Sequence, residues 1–227
     1  MAHRLTSIIV AALLAGPALA DAAHPTVVEL YQSQGCSSCP PALQTIAAIA
    51  DRPDVLALTF AVTYWDQLGW KDSFATPAYT QRQWDYAKGL NHRQVWTPQV
   101  VVDGRSDVTG TRAAEVDALL AKASRPHAPA LNVSAGKVMV GEGEAPAGGA
   151  DIWLVRYDPR TIQVAVKASE NGGRTLGHRN VVRSLVHLGR WTGTAATLSV
   201  PVAPPGLSTA VLLQTPQGGP ILAAARG

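Results

Sequence analysis

Residues 33–43 read SQGCSSCPPAL and hold both cysteines of the 227-residue chain, Cys36 and Cys39. Two thiols separated by two small residues suit a redox dithiol, half of a metal site or a short structural bridge. The flanks narrow the choice. Before the pair, Val27 to Tyr31 (VVELY) reads as a short apolar strand; after it come two prolines, then Leu43, Ile46, Ala47 and Ala50 at helical spacing. Cys36 therefore falls between a strand and a helix N-terminus, where unpaired N–H groups and the positive end of the helix dipole favour a thiolate. The thiolate is the attacking species in disulfide exchange, and Cys39, one turn further on, reads as the resolving thiol. A bridge between i and i+3 closes a very small loop, so a purely structural disulfide gains little chain entropy.

Metal readings fare worse. Structural zinc requires four protein ligands, whereas no second cysteine pair exists and His24, His92, His127, His178 and His187 show no ligand spacing to the thiols. A Cu(I) site using both thiolates stays open, since sulfur suits that ion. No cofactor is expected.

Composition bounds the rest. At 47% hydrophobic and 15% charged, the chain can bury a sizeable core and has the length for more than one domain. Residues 1–20 run from a basic MAHR through an apolar stretch to Ala18-Leu19-Ala20, the plan of a signal peptide. Gly16-Pro17 interrupts a run already too short to span a bilayer. The expectation is a periplasmic or secreted protein with no stable membrane insertion after cleavage, in a compartment that permits disulfides. Without those residues the chain carries 18 basic and 16 acidic side chains, interleaved, which argues against nucleic acid as a partner.

Residues 21–124 alternate strand-like and helix-like segments: the strand and helix above, Val55 to Val62 as a buried strand, and Pro77 to Leu90 as a helix capped by Thr76. A strand then leads to a turn at Asp103-Gly104, followed by an amphipathic helix over Thr111 to Ser124. Residues 125–130 break both periodicities and read as a linker. Residues 131–227 change to short alternating strands with Gly- and Pro-rich turns, as in an antiparallel sandwich. The expected organisation is an α/β domain over 21–124 and an all-β domain over 131–227.

Val95 to Gly104 (VWTPQVVVDG) adds a proline directly ahead of a strand, an awkward place unless it serves a bend. A strand, C-x-x-C at a helix N-terminus and Thr-Pro before a strand resemble the thioredoxin fold. Together with TYWDQLGWKDSFATPAYTQRQWDYA and ENGGRTLGHRNVVRSLVHLGRWTG, they resemble one family of exported bacterial proteins, a domain of unknown function (family 1223) with a thioredoxin-like core. The resemblance implies that the Thr97-Pro98 peptide is cis, beside the dithiol, and that Thr97 and Pro98 line a substrate groove opposite Cys36.

The loop after the second strand holds Tyr64, Trp65 and Trp70 as an apolar wall and Asp66 as a candidate proton relay near Cys39, on the side of the sheet where ligands bind in α/β folds. The alternative is that the aromatics cap the core and Asp66 caps a helix. Glu170 to Asn180 (ENGGRTLGHRN) reads first as an exposed Gly-rich hairpin, or else as an anion or partner surface using Glu170, Arg174, His178, Arg179 and Asn180. The functional expectation is an exported thiol–disulfide exchange protein acting on protein or small-thiol disulfides with an unidentified redox partner. The alternatives are a Cu(I)-handling module and a non-catalytic interaction protein.

Overall fold

The computed structural model describes residues 24–124 and 128–227. The expected signal peptide, and residues 125–127 of the expected linker, lie outside them. The α/β part begins with strands β1 (Thr26–Gln32) and β2 (Val55–Ala61), paired in parallel and connected by helix α1 (Cys39–Ile49). Both strands are buried on both faces, which explains their unbroken apolar runs. Helix α2 (Pro77–Gly89) starts as expected, with Thr76 Oγ1 accepting from Tyr79 N and a proline at its first position. Such a cap stabilises a helix by about 1 kcal/mol. Strands β3 (Gln99–Val102) and β4 (Ser106–Val108) follow, then helix α3 (Ala113–Leu120), shorter than its sequence pattern suggests.

Every regular element beyond residue 130 is a strand: β5 (Leu131–Ser134), β6 (Lys137–Val140), β7 (Ala150–Asp158), β8 (Ile162–Ala165), β9 (Thr175–His178), β10 (Val181–Trp191), β11 (Ala196–Ser199), β12 (Ser208–Gln214) and β13 (Ile221–Arg226). The change of texture at the linker is therefore real, but it does not separate two sheets. One eight-stranded sheet runs β13-β12-β7-β10-β2-β1-β3-β4, crossing from the all-β part into the α/β part where β10 meets β2. The junction is a set of polar bonds: Thr59 N donates to Asn180 O at 2.9 Å, Thr59 Oγ1 to Arg179 O at 2.7 Å, and Asn180 Nδ2 to Ala57 O at 2.8 Å. These satisfy a β2 edge that would otherwise present unpaired backbone.

The side chains sort by strand alternation. Leu56, Leu58 and Phe60 of β2 share one face with Tyr79 and Tyr86 of α2 and with Val155, Leu212 and Ile221. On the other face, Val28 and Leu30 meet α1 and α3, together with Val166 and Leu176 of the separate β8–β9 hairpin. Further along that face, the small sheet β11-β6-β5 covers Ile152, Leu154, Val211 and Leu213. The all-β region is therefore not a sandwich of its own: its small sheet packs on a large sheet that it shares with the α/β part. The far edge curls back: Ile221 N donates to Asp103 O at 2.8 Å, and the loop before β13 crosses α2 so closely that a Cβ on Gly218 would lie 2.1 Å from Asp85 O. No helix among the described residues is long and apolar enough to cross a membrane.

Candidate functional site

The dithiol lies at the carboxyl end of β1, where two tight turns bring the chain onto α1. Cys36 N donates to Ser33 O and Cys39 N to Cys36 O, each at 3.2 Å. Ser38 occupies the N-cap position without capping the helix; its hydroxyl lies 3.2 Å from Cys36 Sγ and 3.4 Å from Thr97 O. Both cysteines are free thiols, and both have 0% exposure. Their acidities diverge sharply. A hydrogen bond from Cys39, helped by Ser38 and Thr97 and opposed by burial, lowers Cys36 to about 6. Burial, then the bond to Cys36 and the charge on it, push Cys39 far above the ordinary thiol range.

Thr97, Trp65 and Tyr64 of the expected site residues meet here, with Pro98 next in the chain; Asp66 is engaged elsewhere. The Thr97-Pro98 peptide is cis, and Pro98 is buried immediately ahead of β3. Trp65 Nε1 donates to Thr97 Oγ1 at 2.8 Å, and Tyr64 donates its hydroxyl to Gln83 Oε1 at 3.2 Å. Burial raises the Tyr64 hydroxyl above its usual range, with a smaller contribution from the charge of both cysteines. Asp66 is used locally: it is the first residue of a 3-10 turn, Asp66–Leu68, and its carboxylate accepts from Asp72 N at 3.1 Å, bracing the loop rather than capping the turn.

The carboxylate that touches the dithiol loop from this side is Asp72, which sequence reasoning missed. Its Oδ2 accepts from Gln34 N at 2.7 Å and its Oδ1 from Phe74 N at 2.8 Å. Burial nevertheless prevails over these bonds and raises Asp72 to about 6. Gln34 is held further by Trp70 Nε1, 2.8 Å from its Oε1, and by Ser73 Oγ, 3.1 Å from its Nε2. Trp70 is therefore a hydrogen-bonding clamp, and it packs against the core cluster of α1 and α3 rather than forming one wall with Tyr64 and Trp65, which pack against the cluster on the other face.

The polar hairpin also has a different role from an exposed turn. The segment between β8 and β9 folds back on the dithiol loop. Asn171, buried, donates from Nδ2 to Gln34 O at 2.9 Å and to Cys36 O at 2.7 Å. Glu170 Oε2 accepts from Ser37 N at 3.0 Å and from Ser37 Oγ at 2.7 Å. Ser169 Oγ donates to Gly35 O at 3.2 Å, and a Cβ at Gly35 would sit 2.9 Å from that hydroxyl and displace it. The Asn-Gly-Gly turn signal was visible in the sequence; the loop it grips, some 135 residues away, was not. His178 is drawn inward rather than displayed: it is fully buried edge-on to Phe74, at 5.5 Å between ring centres, and burial lowers it to about 4, keeping it neutral. Among the described residues, no three His, Cys, Asp or Glu side chains are grouped so as to hold a metal ion.

Comparison with known proteins agrees with this arrangement at the level of family and fold. A family model described as a protein of unknown function (DUF1223) matches residues 27–214, across both parts of the large sheet. The crystal structure of an Agrobacterium tumefaciens protein is similar at 30% identity and a TM-score of 0.74, covering 88% of this chain and 92% of that one. HBP35 of Porphyromonas gingivalis shares the fold at a TM-score of 0.58 and 11% identity, covering 90% of this chain and 74% of that one. No curated protein matches the chain. The chain belongs to the DUF1223 family, whose matched span includes the dithiol, the Thr-Pro turn and the hairpin that grips them.

Proposed function

We propose that the protein is an exported thiol–disulfide exchange protein whose α/β part is thioredoxin-like. The observation that carries this reading is the placement of Cys36 in the turn entering α1, with the Ser38 hydroxyl 3.2 Å from its Sγ and the Thr97-Pro98 turn beside it; these surroundings lower Cys36 while burial raises Cys39. At neutral pH such a pair holds one thiolate and one thiol, the division of labour that exchange requires.

The Cys36 thiolate attacks one sulfur of a substrate disulfide. A Cys36–substrate disulfide forms, the substrate S–S bond breaks, and the other substrate sulfur leaves as a thiolate that takes up a proton. Two of the three causes that raise Cys39, its bond to Cys36 and the charge there, depend on the free thiolate. Once Cys36 is in the mixed disulfide, that charge is gone and Cys39 becomes more acidic. Cys39 then loses its proton and attacks Cys36 Sγ, expelling the second substrate thiol and leaving a Cys36–Cys39 disulfide. The substrate gains two electrons and two protons, and the reverse sequence oxidises it. Thr97 and Pro98 line the groove beside Cys36, with Trp65 fixing the Thr97 side chain and Tyr64 alongside.

Substrates in this reading are protein or small-thiol disulfides. The test is Cys39→Ser, which removes the resolving step. The variant is expected to accumulate mixed disulfides through Cys36 in periplasmic extract, released by reductant and absent from a Cys36→Ser, Cys39→Ser control. No trapped adduct, together with a dithiol potential below about −300 mV, where inert structural bonds lie, would sink the reading.

A further inference from the structure

The tip of the β8–β9 hairpin makes five hydrogen bonds to the dithiol loop, and their chemistry is not uniform. Ser169 and Asn171 donate to carbonyl oxygens and bring no charge. Glu170 accepts from the amide and hydroxyl of Ser37, the residue next to Cys36, and does so with an exposed carboxylate. The donors at a helix N-terminus and the positive end of its dipole act on whatever anion they meet. Two anions face the turn that leads into α1: the Cys36 thiolate, and the Glu170 carboxylate on Ser37, one residue ahead of the N-cap Ser38.

Resting on the exchange reading, we propose that Glu170 is a positioning residue that restrains the acidity of Cys36. Its carboxylate occupies the Ser37 donors and sets a negative charge beside the thiolate, so the dithiol is less oxidising than the helix terminus alone would make it. The all-β part thereby takes part in the reactivity of a thiol carried by the α/β part.

The other groups facing the dithiol leave this role to Glu170. From α1 comes Cys39, a neutral thiol; from the loop after β2 comes Tyr64, held neutral by burial; from the turn before β3 comes Thr97. Asp72 bonds the Gln34 amide, two residues before Cys36, and Arg174 is engaged with Asn171 Oδ1 at 2.8 Å. The bonds from Ser37 lower Glu170 below its ordinary range, so it is ionised wherever Cys36 titrates.

Glu170→Gln tests this directly, because the amide oxygen still accepts from Ser37 while the charge is lost. In the reduced full-length protein, followed by thiolate ultraviolet absorbance against pH, Cys36 should titrate about half a unit lower than in the wild type. Glu170→Lys should lower it by about twice as much, and both differences should shrink at high salt. Near neutral pH, the equilibrium of the Gln variant with a glutathione couple should favour the reduced dithiol by about threefold more than the wild type. A Cys36 titration that is unchanged or raised in Glu170→Gln would overturn the proposal, as would a shift in Glu170→Lys no larger than that of Gln. The readout needs no substrate. A shifted titration with no trapped mixed disulfide would therefore reject exchange and leave the tuning in place, and the converse would reject the tuning alone.

Discussion

Asp72 and Glu170 grip the same loop, residues 33–38 between β1 and α1, from different parts of the chain, and their surroundings give them opposite responses to pH. Asp72 is 2% exposed, and burial raises it from 3.8 to about 6. The folded state therefore holds that proton more tightly than the unfolded chain does. Its stabilising contribution is complete below about pH 4 and is lost as pH rises through about 6. Glu170 is exposed, and the Ser37 donors lower it from 4.5. Its contribution is present above that value and is lost as pH falls. Acid therefore relieves the desolvation cost of Asp72 and weakens the bonds that Glu170 accepts. Geometry alone, with both carboxylates accepting backbone amides, would not reveal this; the difference lies in solvation.

A third carboxylate bounds the comparison and gives the largest expected effect. Glu29, 1% exposed on β1, is paired with Arg82 at 2.9 Å and also accepts from Tyr86. Arg82→Met would leave a buried, uncompensated charge and should cost about 3–5 kcal/mol in urea unfolding. The pair has no part in the dithiol loop, so the Cys36 titration should stay where it is. A shift there would mean that thiol acidity follows global stability rather than the local grip. Asn171→Ala should come next. It strips the side-chain donor from the buried Gln34 and Cys36 carbonyls, and should destabilise by about 2–3 kcal/mol at every pH, since no titrating group is removed. Asp72→Asn should show the opposite pattern. The stability lost by the wild type between about pH 4 and pH 6, about 2 kcal/mol, should vanish from the variant's pH profile. An unaltered slope in that window would show that Asp72 does not titrate there.

The residues of this site were legible in the sequence in proportion to how locally they are specified. Cys36 and Cys39 announce themselves through a strand, a small-residue turn and prolines that begin a helix, all within about fifteen residues. The Thr97-Pro98 turn and the Thr76 cap are likewise short-range signals. Asp72 and Asp66 look alike in sequence, and only packing decides that Asp66 braces its own loop through Asp72 N while Asp72 is buried against Gln34. The hairpin tip is harder still, because turn chemistry fixes its shape but not the surface it meets. The shared sheet was hidden for the same reason. The pairing of Thr59 with Val181 joins segments more than a hundred residues apart, and the short polar strands β4 and β9 have no distinctive periodicity.

The smallest expected effect tests the comparison at the sulfur itself. Ser38 places its hydroxyl 3.2 Å from Cys36 Sγ and contributes, with its backbone amide, to lowering that thiol. Ser38→Ala removes the hydroxyl and keeps the amide, so Cys36 should titrate about half a unit higher. That sign is opposite to the one expected of Glu170→Gln, because a donor to the thiolate is lost in one case and a neighbouring anion in the other. If the two act independently, the double variant should titrate near the wild type. If they compete for the same orientation of the loop, the double variant will depart from the sum, and the size of that departure measures how far the hairpin and the helix terminus share one hydrogen-bond network.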